Sequence, residues 1–348
     1  MTTIPENNRL DDVAILRTIA IIAVVLYHVY WAFYFSTNET FRLATVGLSS
    51  FYETFFHTWF GARMPLFIFI SGYLYSYLFN KRGKYASTTA FIKKKCMHLL
   101  IPYFIFTTLM VLCFQDFQVS NFFGGYRHLW FILMMFWCFV FIRLFYKIKN
   151  MAVQILVFIL FLFGYGYVPM MLTCFGLDTF LKSFCWFWLG YIVWYNREKI
   201  QFFFRTAWIL LFFFIWFACC YYMEFISSSN WFGQDLTRDV CLIISRIAFV
   251  FFIYSIVNKA LMKGWIKIHP WIEEMNRYSY GIYIFHHWII RLTVYQPFRG
   301  TNFHQTIYHY IVDHPIIAPI LFFFIFFLLS LFITRSLLKT SIGRFLIG

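Results

Sequence analysis

The chain has 348 residues and a formal net charge of +15; 62% of its residues are apolar, 25% aromatic and only 12% charged. An ordinary soluble domain is about 45–50% apolar and about 25% charged, so a water-soluble fold of this size would lack the polar surface to cover its interior. Disorder needs low hydrophobicity and a disulfide-stapled secreted domain needs closely spaced cysteines on a short chain, so both are excluded and an integral membrane protein remains.

A spanning helix takes roughly 20 mostly apolar residues. In chain order such stretches fall near 13–35, 58–79, 91–114, 128–146, 151–170, 179–195, 204–222, 239–258, 278–296 and 315–334, separated by short polar breaks. The expected architecture is an all-α membrane bundle of about ten transmembrane helices. It is read as one domain over 1–348, with a short N-terminal segment (1–12) and a short tail (335–348). The first stretch follows Asp11 and Asp12 rather than a basic region, and its apolar run is too long for a cleavable signal, so it is expected to remain as helix one.

With the N-terminus inside, 20 of the 29 Lys and Arg residues fall in inner segments, among them Arg9, Lys93, Lys94, Lys95 and Arg143. The outer segments hold only Arg42, Arg127, Lys182, Arg238 and Arg299, while acidic residues such as Glu39, Glu53 and Asp116 lean outward. This asymmetry places both termini in the cytoplasm and makes the positive charge a cytoplasmic property rather than a nucleic-acid footprint. The eight cysteines contain no C-x-x-C pair and read as reduced packing residues. His304, His309 and His314 have a five-residue spacing with no cysteine or carboxylate company, so no metal site is expected.

Four basic residues remain. Arg17, Arg63, Arg246 and Arg291 fall within or at the edge of apolar stretches, where a charge costs at least about 2.5–3.5 kcal/mol and marks a functional site by default. No carboxylate lies deep in any apolar run. Each arginine must therefore face a hydrated cavity, a backbone carbonyl, an outer-loop carboxylate or an anionic ligand, or else snorkel to an interface.

Helix one carries Arg17 and His28. Eleven residues at 100° each return His28 to within about 20° of Arg17, roughly 16 Å further along the axis. Both side chains share one face, an arrangement that spans from an anionic cytoplasmic molecule to an external reactant. The bland reading is a helix-start arginine and a buried, hydrogen-bonded histidine.

This arginine and histidine, separated by ten residues on the first helix, resemble the signature of the acyltransferase-3 family of membrane acyltransferases. Four further stretches agree in order. The run from Met64 through Pro65, Ser71 and Gly72 to Leu74 is similar to the family's Pro-Leu-Phe-Phe…Ser-Gly-Tyr segment. Phe91 to Lys95 followed by Leu99 to Tyr103 resembles its basic cluster leading into a Pro-Tyr helix. His128, Leu129, Trp130 and Phe131 resemble its His-Leu-Trp-Phe segment, and Ser279, Gly281, Tyr283 and His286 its Gly-Ile-Tyr…His segment. Relatives commonly carry an aspartate three residues before the motif arginine. Here that position is Ala14, and Asp12, five residues before Arg17, is not placed for an i,i+4 pair.

The resemblance implies a multi-pass protein of a bacterial cell membrane that transfers an acyl group, acetyl from acetyl-CoA, to a hydroxyl of a surface polysaccharide or lipid-linked sugar. A sugar hydroxyl is a poor nucleophile, and a neutral imidazole that takes its proton contributes about 10²–10⁴-fold. His28 is the expected base, with an acyl-imidazole relay as the other option. Arg17 and Lys93, Lys94 and Lys95 are expected to hold the CoA phosphates, although topology alone would also place the lysines there. Arg63 is expected to stabilise the thioester oxyanion or to meet the acceptor. Trp130, Tyr283, His286, Ser71 and Arg246 are the expected substrate-side residues, with close helix packing the plainer role for Ser71 and Gly72. A transporter or flippase of a sugar or lipid is the competing reading, and an inactive membrane receptor a third. Against transport, there is no deep carboxylate for ion coupling and no visible repeat between the halves.

Overall fold

The structure, a computed structural model, describes residues 10–34, 55, 59–164, 174–226, 234–295, 306, 309–310, 313–314 and 316–348. Arg9, Glu39, Arg42, Glu53, Arg299 and His304, used above, lie outside these residues. Helix makes up 84% of the described residues, and no strand occurs among them. Hydrocarbon offers no partner for backbone N–H and C=O groups, so an apolar chain of this kind satisfies them within helices.

In chain order the helices are α1 (Asp11–Tyr34), α2 (Arg63–Asn80), α3 (Thr88–Lys95), α4 (Ile101–Phe114), α5 (Ser120–Phe123) and α6 (Trp130–Phe145). There follow α7 (Met151–Gly164), α8 (Leu177–Tyr195), α9 (Thr206–Tyr221), α10 (Gln234–Met262), α11 (Pro270–Ile290), α12 (Ile317–Leu337) and α13 (Ser341–Ile347). Among the described residues, each of the ten expected stretches contains helix. Six spans, Asp11–Ala32, Thr88–Phe114, Ser120–Phe145, Thr206–Glu224, Leu236–Met262 and Ile317–Leu337, are long and apolar enough to cross a membrane. Phe324, Leu328 and Phe332 on α12 and Leu156, Leu160 and Phe163 on α7 are exposed; such surface is stable against lipid and not against water.

Local chemistry sets the helix ends. Asp11 and Asp12 occupy the first turn of α1, where negative charge complements the helix dipole, and the Asp12 carboxylate accepts from the Val13 N–H at 2.8 Å. Between α3 and α4 the helix widens into a π turn, Cys96–Leu100, just before Pro102. Proline has no N–H to donate and its ring crowds the preceding turn, so the helix loosens there without breaking.

Two compact units result. The first comprises Met1–Phe67, Glu198–Ser279 and Ile290–Leu328. In it α1 packs on α10, and α9 runs along α10 through an aromatic seam. Phe212 stacks on Phe251 at 5.3 Å and Trp216 lies against Phe249 at 5.3 Å. Trp216 also donates its indole N–H to the Trp59 carbonyl at 3.3 Å.

The second unit comprises Ile68–Arg197, Tyr280–Ile289 and Leu329–Gly348. Here α2 and α8 touch backbone to backbone. A Cβ on Gly72 would lie 1.8 Å from the Phe187 carbonyl oxygen, and one on Gly190 would lie 2.0 Å from that of Phe69. Polar groups join the neighbouring helices: the Asn196 amide donates to Gln154 Oε1 at 2.7 Å, and Trp188 donates to the Gln154 carbonyl at 2.9 Å.

Arg143, near the end of α6, is 8% exposed. Its guanidinium donates to Tyr75 Oη at 3.1 Å, to Thr88 Oγ1 at 2.8 Å and to the Ala86 carbonyl at 3.4 Å, and it lies 4.5 Å from the Tyr146 ring centroid. One planar fork thus ties α2, the turn before α3, and α6 together. Arg143→Lys keeps the charge and loses the fork, so we expect a loss of about 2 kcal/mol, read as a fall of several degrees in thermal unfolding in detergent. An unchanged melting temperature would show that the fork is dispensable.

Candidate functional site

Helix α1 runs unbroken from Asp11 to Tyr34, so Arg17 and His28 do share a face, three turns apart. Both belong to the first unit. At the N-terminal position Arg17 Nη1 donates to Asn276 Oδ1 on α11 at 3.1 Å. The partner is therefore an amide from a distant part of the chain rather than Asp11 or Asp12. An amide orients the guanidinium without neutralising it, which leaves the full charge for an anion.

At the other position the half-buried His28 ring meets Tyr27 edge-on, with centroids 5.3 Å apart. The Arg63 guanidinium carbon lies 3.3 Å from the Tyr27 ring centroid, and Arg63 Nη1 donates to the Phe60 carbonyl at 3.2 Å. Of the partners expected for an intramembrane arginine, Arg63 thus takes a backbone carbonyl and an aromatic face. Arg246 on α10 is near enough for its charge to act on Arg63. Tyr27 thereby gathers His28 and Arg63 into one cluster, with Arg246 beside it. Arg291, also of the first unit, is buried at 9% exposure rather than extended to the surface.

The remaining expected residues lie in the second unit. Lys93 and Lys94 are exposed at the end of α3. Lys95 turns inward, its ammonium 3.6 Å from the Phe139 ring centroid, and is held by that aromatic face. Ser71 is half-buried on α2, next to the Gly72 contact. Trp130 is half-buried at the start of α6, its Cβ 2.8 Å from where a Cβ on Gly125 would stand.

Tyr283 and His286 join a histidine cluster. Tyr283 Oη donates to the His128 carbonyl. His128 Nε2 donates to the Ile284 carbonyl at 3.0 Å and His286 Nδ1 to the Ile282 carbonyl at 2.9 Å. Because a carbonyl only accepts, each bond fixes the tautomer of its ring. His287 stacks on His128 with centroids 4.5 Å apart. The backbone leading into His128 is left-handed at Gly125, φ 86°, which glycine adopts freely, and at Arg127, φ 50°, which is strained for a residue with a Cβ.

Sequence reasoning missed Tyr27 and Asn276. Tyr27 had one signal, its position beside His28. Asn276 had only its place in the polar run Glu273 to Arg277, which points to no particular partner. Among the described residues no group of three or more His, Cys, Asp or Glu could hold a metal, and Cys138, Cys185 and Cys220 are buried.

With this geometry in hand, comparison with known families finds one that covers nearly the whole chain. A family model described as an acyltransferase domain matches residues 10–338. No curated protein and no solved structure matches the chain.

Proposed function

This chain belongs to the acyltransferase-3 family of membrane proteins, and on that premise we propose that it is an O-acyltransferase moving acetyl from acetyl-CoA to a hydroxyl of a surface polysaccharide or lipid-linked sugar. In this reading the chain works as one catalytic unit with about ten spans and both termini in the cytoplasm of a bacterial cell. Helices at all ten expected positions and the inner bias of Lys and Arg support that topology.

In the first step the acceptor oxygen attacks the thioester carbonyl while His28 takes the hydroxyl proton. Arg63, held against Tyr27 beside His28, stabilises the oxyanion that forms. The carbon–sulfur bond then breaks, the imidazolium returns its proton to the departing thiolate, and ester and free CoA result. Arg17, oriented and not neutralised by Asn276, binds a CoA phosphate. Lys93 and Lys94, exposed at the end of α3, add charge for the CoA phosphates, while Lys95, seated on Phe139, contributes less. Arg246, Ser71, Trp130, Tyr283 and His286 serve the acceptor side, Tyr283 and His286 by shaping it, since each is bonded to backbone carbonyls.

The observation that carries this reading is a single unbroken helix presenting on one face an un-neutralised arginine and, roughly 16 Å away, a histidine clustered with a second arginine. The test is mass spectrometry of surface glycans from cells with and without the chain, together with thiol release by purified protein given acetyl-CoA and those glycans. Ester-linked acetyl present only with the chain is expected. Identical glycans together with no thiol release would overturn the reading.

A further inference from the structure

Helix α13 belongs to the second unit and contributes no residue to the proposed reaction. Beyond α12, Thr340 turns the chain: its hydroxyl donates to the Leu337 carbonyl at 2.8 Å and accepts from the Gly343 N–H at 3.0 Å. The turn is tight, since a Cβ on Gly343 would stand 1.9 Å from the Leu337 carbonyl oxygen. The helix is thereby laid against the π turn Cys96–Leu100 and α4, with the Phe345 ring 5.9 Å from that of His98. Gly343 and Ile347 are its buried residues.

The open side of α13 mixes two chemistries. Ile342 is 73% exposed. Lys339 and Arg344 are exposed as well; the Arg344 guanidinium donates to the Ser341 hydroxyl at 3.3 Å, and neither cation forms an ion pair among the described residues. Segments 68–115 and 329–348, which build this end of the unit, contain no Asp or Glu. Beside α13, the chain from the π turn into α4 exposes Met97, Ile101, Ile105 and Leu109, one residue in every four. This stripe runs along a segment long and apolar enough to cross a membrane. It rises about 18 Å, close to half of a hydrocarbon core of about 30 Å.

A soluble anion would account for the two cations and leave Ile342 and the stripe without a use. Neutral lipid would account for the apolar surface and leave the cations without one. A lipid with a negative headgroup meets both, its phosphate by charge and its chain by apolar contact. We infer that α13 and the Met97–Leu109 stripe form a docking surface for an anionic phospholipid, the phosphate against Lys339 and Arg344 and an acyl chain along the stripe. This surface lies wholly within the second unit and does not depend on the acyl-transfer reading.

The test is thermal unfolding of the full chain in detergent, titrated with phosphatidylglycerol, with phosphatidylcholine, or with glycerol 3-phosphate, which has the phosphate without the chains. Phosphatidylglycerol should raise the melting temperature of wild-type protein, and the other two should not. Lys339→Gln and Arg344→Gln should each raise the phosphatidylglycerol concentration for half of that shift by about fivefold, while Arg344→Lys, which keeps the charge, should stay near wild type. Without lipid all three variants should melt like wild type, because the side chains are exposed. Equal shifts from both phospholipids would mean that the cations serve orientation alone and overturn the inference. An equal shift from glycerol 3-phosphate would overturn it in favour of a soluble phosphate. A selective shift that both glutamine variants keep at the wild-type concentration would place the lipid elsewhere and overturn it too.

Discussion

Replacing His28 by alanine should lower acetyl transfer by about 10²–10⁴-fold, the usual contribution of a positioned base. The change removes an imidazole that is only half-buried on α1, so expression and thermal unfolding should stay close to wild type. Tyr27 would still hold Arg63 through ring and guanidinium, and Arg17 would still meet Asn276. Acetyl-CoA binding should therefore survive while turnover is lost, a kcat effect with little change in affinity. A His28→Ala protein that inserts normally and transfers acetyl at the wild-type rate would remove His28 from the chemistry.

The second large effect is on folding. Gly190→Ala would place a methyl group 2.0 Å from the Phe69 carbonyl oxygen and 2.8 Å from the Tyr73 nitrogen, and Gly72→Ala one 1.8 Å from the Phe187 carbonyl oxygen. These neighbours are backbone, which no rotamer change can clear, so α2 and α8 must separate. Their separation would loosen the packing of Trp186, Trp188 and Phe187, which are nearly or fully buried. A cost of about 3 kcal/mol, at the upper end of ordinary overpacking, is expected for either change, seen as a large fall in melting temperature or as aggregation on size exclusion. The double variant should cost less than the sum of the singles, since once the helices have parted the second methyl meets an opened crossing. Either variant melting like wild type would mean that the close approach of α2 and α8 is not required.

Some of this protein was legible in one dimension. The apolar stretches predicted helices, and their described residues are mainly helical, six of the spans being long and apolar enough to cross a membrane, because a backbone in hydrocarbon has no alternative to bonding within its own segment. The shared face of Arg17 and His28 was equally legible, since it needs only helical periodicity and an uninterrupted α1. Gly72 was readable as a packing residue because a small residue in an apolar helix implies close approach.

Other features were decided only in three dimensions. Asn276, 259 residues from Arg17, supplies the partner that neither Ala14 nor Asp12 was placed to provide. Arg143 looked like one more inner-side charge and is instead a buried clamp on Tyr75 and Thr88. Lys95 is adjacent to Lys93 and Lys94, yet it faces Phe139 while they face outward. Helix formation depends on neighbours within four residues and so is written locally. The partner of a buried charge depends on which distant helix stands against it, and only the packed chain determines that.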